Sequence, residues 1–200
     1  MIKKFFSGVM GNNTYLIEDN SRVVIIDPSF GSKKIVKYLQ ENNYSLKAII
    51  LTHGHFDHFV GCKDLVQFQN CPVYLPKEDE YLAHNQQLLQ AKQYNLDIDT
   101  VDLCVGDLII GNIALSIIAT SGHSEGSVCI LYNNVLFTGD TLFHKSVGRT
   151  DLYSGNSNKL NESLRVIASL DENLLIYPGH DEESTLKDEL VSNPYLKNCY

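Results

Sequence analysis

The chain has 200 residues, 44% of them apolar, and a formal net charge of −8. That length fits one domain with a substantial core. The acidic balance, with no Lys or Arg run longer than two, leaves DNA, RNA and other polyanions no electrostatic footing. No segment approaches the ~18 apolar residues that span a bilayer, so neither nucleic acid nor membrane is an expected partner.

The chain begins Met1-Ile2-Lys3-Lys4-Phe5-Phe6, superficially like a signal peptide, but Gly8, Gly11, Asn12 and Asn13 interrupt the apolar stretch. A short first strand is expected instead. Thr14–Glu18 and Arg22–Asp27 read as a hairpin closed by Asp19-Asn20-Ser21. Ser32–Asn43, apolar at 35, 36 and 39, suits a helix lying on a sheet. Ala48–Leu51 has the composition of a buried strand, and a histidine-rich loop follows it. Gly61–Phe68 and Lys77–Tyr94 read as helices, with Pro72–Leu75 a strand between them. The second half is richer in strands: Asp107–Ile110, Ile113–Ala119, Ser127–Tyr132 and Val135–Thr138, with Gly111-Asn112 and Asn133-Asn134 as turns. Lys159–Leu170 is an expected helix, Leu174–Tyr177 a strand, and Glu182–Ser192 a closing helix. No linker or repeat divides the chain, so residues 1–200 read as one α/β layered domain.

Five cysteines (Cys62, Cys71, Cys104, Cys129, Cys199) form neither a CxxC pair nor an even set. They read as buried free thiols in a reducing cytoplasm, and only Cys62 lies close to the histidine loop.

The chemistry concentrates in Thr52-His53-Gly54-His55-Phe56-Asp57-His58. This segment leaves a strand at its C-terminal end, a common position for sites in α/β folds. In extended backbone, residues two apart project to one side, so His53 and His55 can share a metal. Asp57 and His58 follow where the chain turns into a helix and can face a second ion. Three further candidates, His123, Asp140 and His180, each follow a glycine just beyond a predicted strand. Five of the seven histidines fall in this set, which scattered surface histidines would not produce. Imidazole with carboxylate suits zinc and related transition ions. His84 reads as an ordinary helix-surface histidine, while His144 follows Asp140 closely enough to approach the site.

The HxHxDH run with later Gly-His, Gly-Asp and Gly-His elements resembles the metallo-β-lactamase superfamily. The resemblance extends from Asp27-Pro28 to Glu189-Leu190. It implies an αββα four-layer sandwich. It also implies a first metal on His53, His55 and His123, a second on Asp57, His58 and His180, and Asp140 bridging both. Asp27 corresponds to an early structural aspartate that braces the histidine loop.

Gly139-Asp140-Thr141-Leu142-Phe143, Gly148-Arg149-Thr150-Asp151-Leu152 and Tyr177-Pro178-Gly179-His180 are similar to the glyoxalase II group. That likeness implies hydrolysis of S-acylglutathione or related small thioesters, with Asp57 or Asp140 orienting the hydroxide and taking up its proton. Arg149 and Tyr153 are candidate contacts for a carboxylate-bearing small-molecule substrate. Two-domain members of that group carry a C-terminal helical extension, whereas only 20 residues follow His180 here. The shorter single-domain type is therefore the expectation. The cofactor expected is two divalent ions per chain, zinc first, with iron or manganese as alternatives. Two competing readings remain. One is a persulfide dioxygenase using a single iron on His53, His123 and Asp140. The other is hydrolysis of a different ester, lactone or amide on the same scaffold.

Overall fold

The computed structural model describes residues 1–197. The expected first strand is present as β1 (Ile2–Phe6), and the hairpin as β2 (Asn13–Asp19) and β3 (Arg22–Ile26). Helix α1 (Ser32–Glu41) leads to β4 (Ser45–Ile50), a short turn α2 (Phe56–Phe59), α3 (Cys62–Phe68) and β5 (Val73–Leu75). Helix α4 (Glu80–His84) and β6 (Val101–Asp102) complete the first half. The six strands form one sheet in sequence order, antiparallel from β1 to β3 and parallel from β3 to β6.

The second half supplies β7 (Gly106–Ile110), β8 (Ile113–Ala119), β9 (Val128–Tyr132) and β10 (Val135–Gly139). A small hairpin, β11 (Leu142–Phe143) and β12 (Ser146–Val147), is followed by α5 (Ser157–Ala168), β13 (Leu175–Pro178), β14 (Ser184–Thr185) and α6 (Leu186–Ser192). The second sheet runs β14-β13-β10-β9-β8-β7, with only β10 and β13 parallel.

Alternation of side chains along a strand sets the layers. Tyr15, Ile17, Val24, Ile26, Ala48 and Ile50 point between the sheets, where they meet Ile113, Leu115, Ile117, Ile130 and Phe137 of the second. Leu16, Val23, Ile25 and Ile49 point outward under Ile35, Leu39, Cys62 and Leu65 of α1 and α3. On the far side, Leu136 and Ile176 pack under Leu160, Leu164, Ile167 and Leu186 of α5 and α6. The order is therefore αββα. Because β2 to β4 are apolar on both faces, burial alone tolerates either register. The sizes of the facing residues and the hydrogen-bonded pairing must select one.

Two expected helices are shorter than their patterns. Only Glu80–His84 is α-helical within 77–94, the rest being single 3₁₀ turns broken at Asn85 and at Gln90, which has φ +58°. The physical reason is tertiary. Gln86 Nε2 donates to the Gly54 carbonyl at 2.8 Å, and its Oε1 accepts from the Phe56 N–H at 3.1 Å. The segment thus bends to hold the histidine loop. Within 182–192, Ser184 and Thr185 pair with β13 as a strand, and the Thr185 hydroxyl accepts from the Asp188 N–H, so the helix starts at Leu186.

The four cysteines among the described residues are free but not uniformly buried. Cys62 and Cys129 lie in the core, Cys71 is half-buried and Cys104 exposed, while Cys199 lies outside the described residues. Cys62 therefore packs under α1 rather than lining the histidine loop. Among the described residues, no helix is long and apolar enough to cross a membrane.

Candidate metal centre

The loops that follow β4, β8, β10 and β13 open at the same end of the two sheets. Backbone hydrogen bonds lace that end together. Val128 N–H donates to Thr52, Gly179 N–H to Gly139 and Asn13 N–H to Gly179, at 3.0, 2.8 and 2.7 Å. The glycines before the ligands serve two purposes. Gly122 and Gly139 take positive φ, +143° and +47°. Gly179 instead allows close approach, since a Cβ there would stand 2.5 Å from Asp140 Oδ1 and 2.7 Å from His58 Cε1.

All seven metal candidates converge. One donor atom from each of His53, His55 and His123 lies within 4.8 Å of the others, and the same holds for Asp57, His58 and His180. Asp140 lies between the trios. Its Oδ2 is 3.5 Å from His123 Nε2 and 3.6 Å from His180 Nε2, and its Oδ1 is 3.3 Å from His58 Nε2. A further grouping, Asp27 with His53 and His58, is the bracing side of the same cluster.

The hydrogen bonds behind the ligands fix which nitrogen faces inward. His123 Nδ1 donates to the Arg149 carbonyl at 2.8 Å, and His58 Nδ1 to Asp27 Oδ2 at 3.0 Å. Thr52 gives its hydroxyl proton to Asp27 at 2.6 Å, so at 3.0 Å it accepts from His53 Nδ1. In each ring Nε2 is the nitrogen turned toward the centre. Asp27 itself has φ +49°, unusual for a residue other than glycine, and is held there by Thr14 and Thr52.

The side chains fit a metal. His53 Nε2, His55 Nε2 and Asp140 Oδ1 are buried without a hydrogen-bond partner. His55 Nδ1 and His123 Nε2 stand 2.8 Å apart, a separation that two lone pairs tolerate only with a proton or cation between or beside them. Burial, reinforced by the neighbouring imidazoles, holds His53 well below its ordinary pKa and His55 down to about 3, so both remain neutral donors. Burial would raise the Asp140 carboxyl, but His58 and the other histidines bring it down to about 2. His58 is pushed upward, because Asp140, Asp57 and Asp27 outweigh its burial. Neutral His53 and His55 beside ionised carboxylates suit a divalent transition ion, which would displace the proton held at His58.

Other predicted residues fall outside the cluster. His84 Nδ1 bonds to the Leu96 carbonyl, and His144 bonds to buried Glu189 at 3.0 Å. The exposed Arg149 guanidinium pairs doubly with Asp151, at 2.7 and 2.6 Å, while the Arg149 backbone orients His123. Tyr153 is partly exposed, its ring 6.3 Å from that of Tyr81.

Sequence reasoning missed Asn12 and Asp79. Asn12 lies among Asp57, His58 and His180. Asp79, fully buried, accepts from Gly54 N–H, Gly126 N–H and the Ser124 hydroxyl, stapling the His53–His55 loop to the His123 loop. No metal motif contains either residue, although the acidic start of the 77–94 pattern was a weak pointer to Asp79. Asp79→Ala leaves two buried backbone donors, Gly54 N–H and Gly126 N–H, unanswered, while the Ser124 hydroxyl can turn to Ser127 Oγ at 2.7 Å. Each costs about 1–3 kcal/mol, so the substitution is expected to destabilise the protein by several kcal/mol in a denaturant titration and to loosen metal binding. Unchanged stability and metal content would refute the stapling role.

A layered αββα fold with clustered histidines and carboxylates at the sheet ends fits a metal-dependent enzyme, and the relatives place it among metallo-hydrolases. The family model described as the metallo-beta-lactamase superfamily matches residues 7–180, and the chain belongs to that superfamily. It is 31% identical to the probable metallo-hydrolase YqgX of Bacillus subtilis, with 94% of each chain covered. It is 32% identical to the hydroxyacylglutathione hydrolase of Francisella philomiragia, over 88% of this chain and 66% of the other. Among solved structures it is similar to the BLEG-1 B3 metallo-beta-lactamase (TM-score 0.92, 30% identity, 99% and 100% covered). The di-iron-bound form of TTHA1623 follows at TM-score 0.88 and 31% identity, with 97% and 100% covered. ETHE1 from Myxococcus xanthus gives 0.83 and 27%, with 97% and 83% covered.

Proposed function

We propose that the protein is a binuclear hydrolase of small thioesters, of the glyoxalase II type, with S-acylglutathione or a related acyl thioester as substrate. The observation that carries this reading is the pair of three-residue donor sets joined by Asp140. His53, His55 and His123 would hold one divalent ion and Asp57, His58 and His180 the other, zinc first, with iron or manganese as alternatives. Two such ions, when bound, bring a water toward neutral pKa and polarise a carbonyl. The chain's own groups do the rest. Asp140 holds the two donor sets at a common centre. Asp57, whose carboxyl stays ionised because His58 and His180 outweigh its burial, orients the water and takes up its proton. Arg149 accepts a substrate carboxylate in exchange for exposed Asp151, and Tyr153 lies nearby in sequence on the same loop.

The hydroxyacylglutathione hydrolase likeness supports the thioester, and the likeness to ETHE1 keeps the single-iron oxygenase as the second reading. Retention of the complete second donor set favours hydrolysis, since a second ion would occupy positions that oxygen and substrate need.

The test uses metal-stripped protein reconstituted with zinc, manganese or iron. Thioester cleavage is followed with lactoylglutathione, oxygen uptake with glutathione persulfide, and amide cleavage with a β-lactam. Zinc- or manganese-loaded protein is expected to cleave the thioester without consuming oxygen. Iron-dependent oxygen uptake without thioester turnover would sink the assignment, as would turnover confined to the β-lactam.

A further inference from the structure

Asn12 is fully buried in the connection from β1 to β2, and its backbone bridges to that of His180. Its Nδ2 donates to Asp57 Oδ2 at 2.9 Å and lies 3.2 Å from His180 Nε2 and 3.4 Å from His58 Nε2. One amide nitrogen, with two hydrogens, thus faces all three members of the second donor set.

We propose that the Asn12 carboxamide is a built-in competitor for the second ion, filling that half of the centre until the ion displaces it. The proposal rests on the binuclear reading above. An ion bound to Asp57, His58 and His180 at ordinary distances of about 2.0–2.2 Å needs the Asp57 oxygen to which the amide donates and the space its nitrogen takes beside His58 and His180. An amide N–H beside a cation is repulsive, so the two occupants exclude each other. The backbone anchors of Asn12, its bridge to His180 and the Ser7 N–H bond to its carbonyl at 2.8 Å, leave side-chain rotation as the route of displacement. Asn12 Oδ1 is buried with no partner, so rotation breaks no bond on that side.

The first donor set has no such occupant. His53 Nε2 is unpartnered, and His55 and His123 face each other directly. The two halves are therefore unequal by construction. The first ion displaces only the proton shared by His55 and His123, two members of its own set, whereas the second must evict a hydrogen-bond donor from outside its set. Asn12 accordingly decides whether the protein carries one ion or two at a given metal supply.

The experiment is zinc titration of stripped protein by calorimetry with chelator competition, with metal per chain counted by elemental analysis. Wild-type protein is expected to show two steps, the second weaker. Asn12→Ala should tighten the second step about tenfold or more, as loss of hydrogen bonds to charged groups predicts, and leave the first within about twofold. Asn12→Asp, which replaces the donor by a carboxylate, should tighten the second step as well. Thermal melts of the stripped variants check folding, and Asn12→Ser carries the same expectation should the alanine variant not fold. One ion in wild type and two in Asn12→Ala would support the proposal directly. A weaker second step in Asn12→Ala would make the amide a ligand, and an unchanged one would give it no part. Either overturns the proposal while the two-ion centre stands. A single ion in wild type and all variants overturns the binuclear reading, and this proposal with it.

Discussion

Asp140→Asn is expected to lower metal content and thioester turnover together while the fold stays cooperative. The substitution keeps shape and volume but removes a full negative charge that lies 3.3–3.6 Å from His58, His123 and His180. It also removes an anionic oxygen facing each donor set, and an amide can present only one oxygen. Changing a residue that merely braces a ligand costs roughly 10–100-fold in metal affinity or activity, so the bridging role proposed for Asp140 should cost more than ~100-fold in turnover. His84→Ala is the matched control, because His84 bonds only to the Leu96 carbonyl and lies outside the cluster. Elemental analysis, a thioester assay and circular dichroism on both variants check the contrast. Equal damage from the two substitutions, or none from either, would contradict the role given to Asp140.

The clustering of the candidate ligands was legible in the sequence because their spacing follows from backbone geometry. His53 and His55 share a side of extended chain, and His123, Asp140 and His180 each sit one residue past a glycine at a strand end. The layers were legible for a similar reason, since strands apolar on both faces must be covered twice. What stayed hidden depends on contacts between residues far apart in the chain. The pattern over 77–94 is helical in period, yet Gln86 spends its amide on Gly54 and Phe56, and the helix breaks. Asp79 reads as a surface acid until three donors from two loops are seen to surround it. Asn12 lies 168 residues from His180, and a glycine-rich turn gives no hint that its amide enters the centre. Arg149 shows the converse. Its side chain drew notice, but its backbone carbonyl is the group that orients His123.

Removing metal is expected to cost the protein much of its thermal margin. His53 Nε2, His55 Nε2 and Asp140 Oδ1 are buried without a hydrogen-bond partner, and the His55 and His123 nitrogens stand 2.8 Å apart. His53 Nε2 and the facing nitrogens of His55 and His123 were taken from water on folding, and a cation supplies them an interaction that no neighbouring side chain does. An ion that binds the native chain and not the unfolded one stabilises it by about 4 kcal/mol at a thousand times its dissociation constant. For a domain of this size each kcal/mol moves the melting temperature by roughly 2–4 °C, so a strong chelator should lower it by about 8–16 °C. Added zinc should restore the original value, and Asp140→Asn should respond far less to either treatment. The check is differential scanning calorimetry with metal content measured on the same samples. A melting temperature unmoved in protein shown to have lost its metal would mean that the cluster is held by the fold alone, and that its histidines are packed rather than poised for an ion.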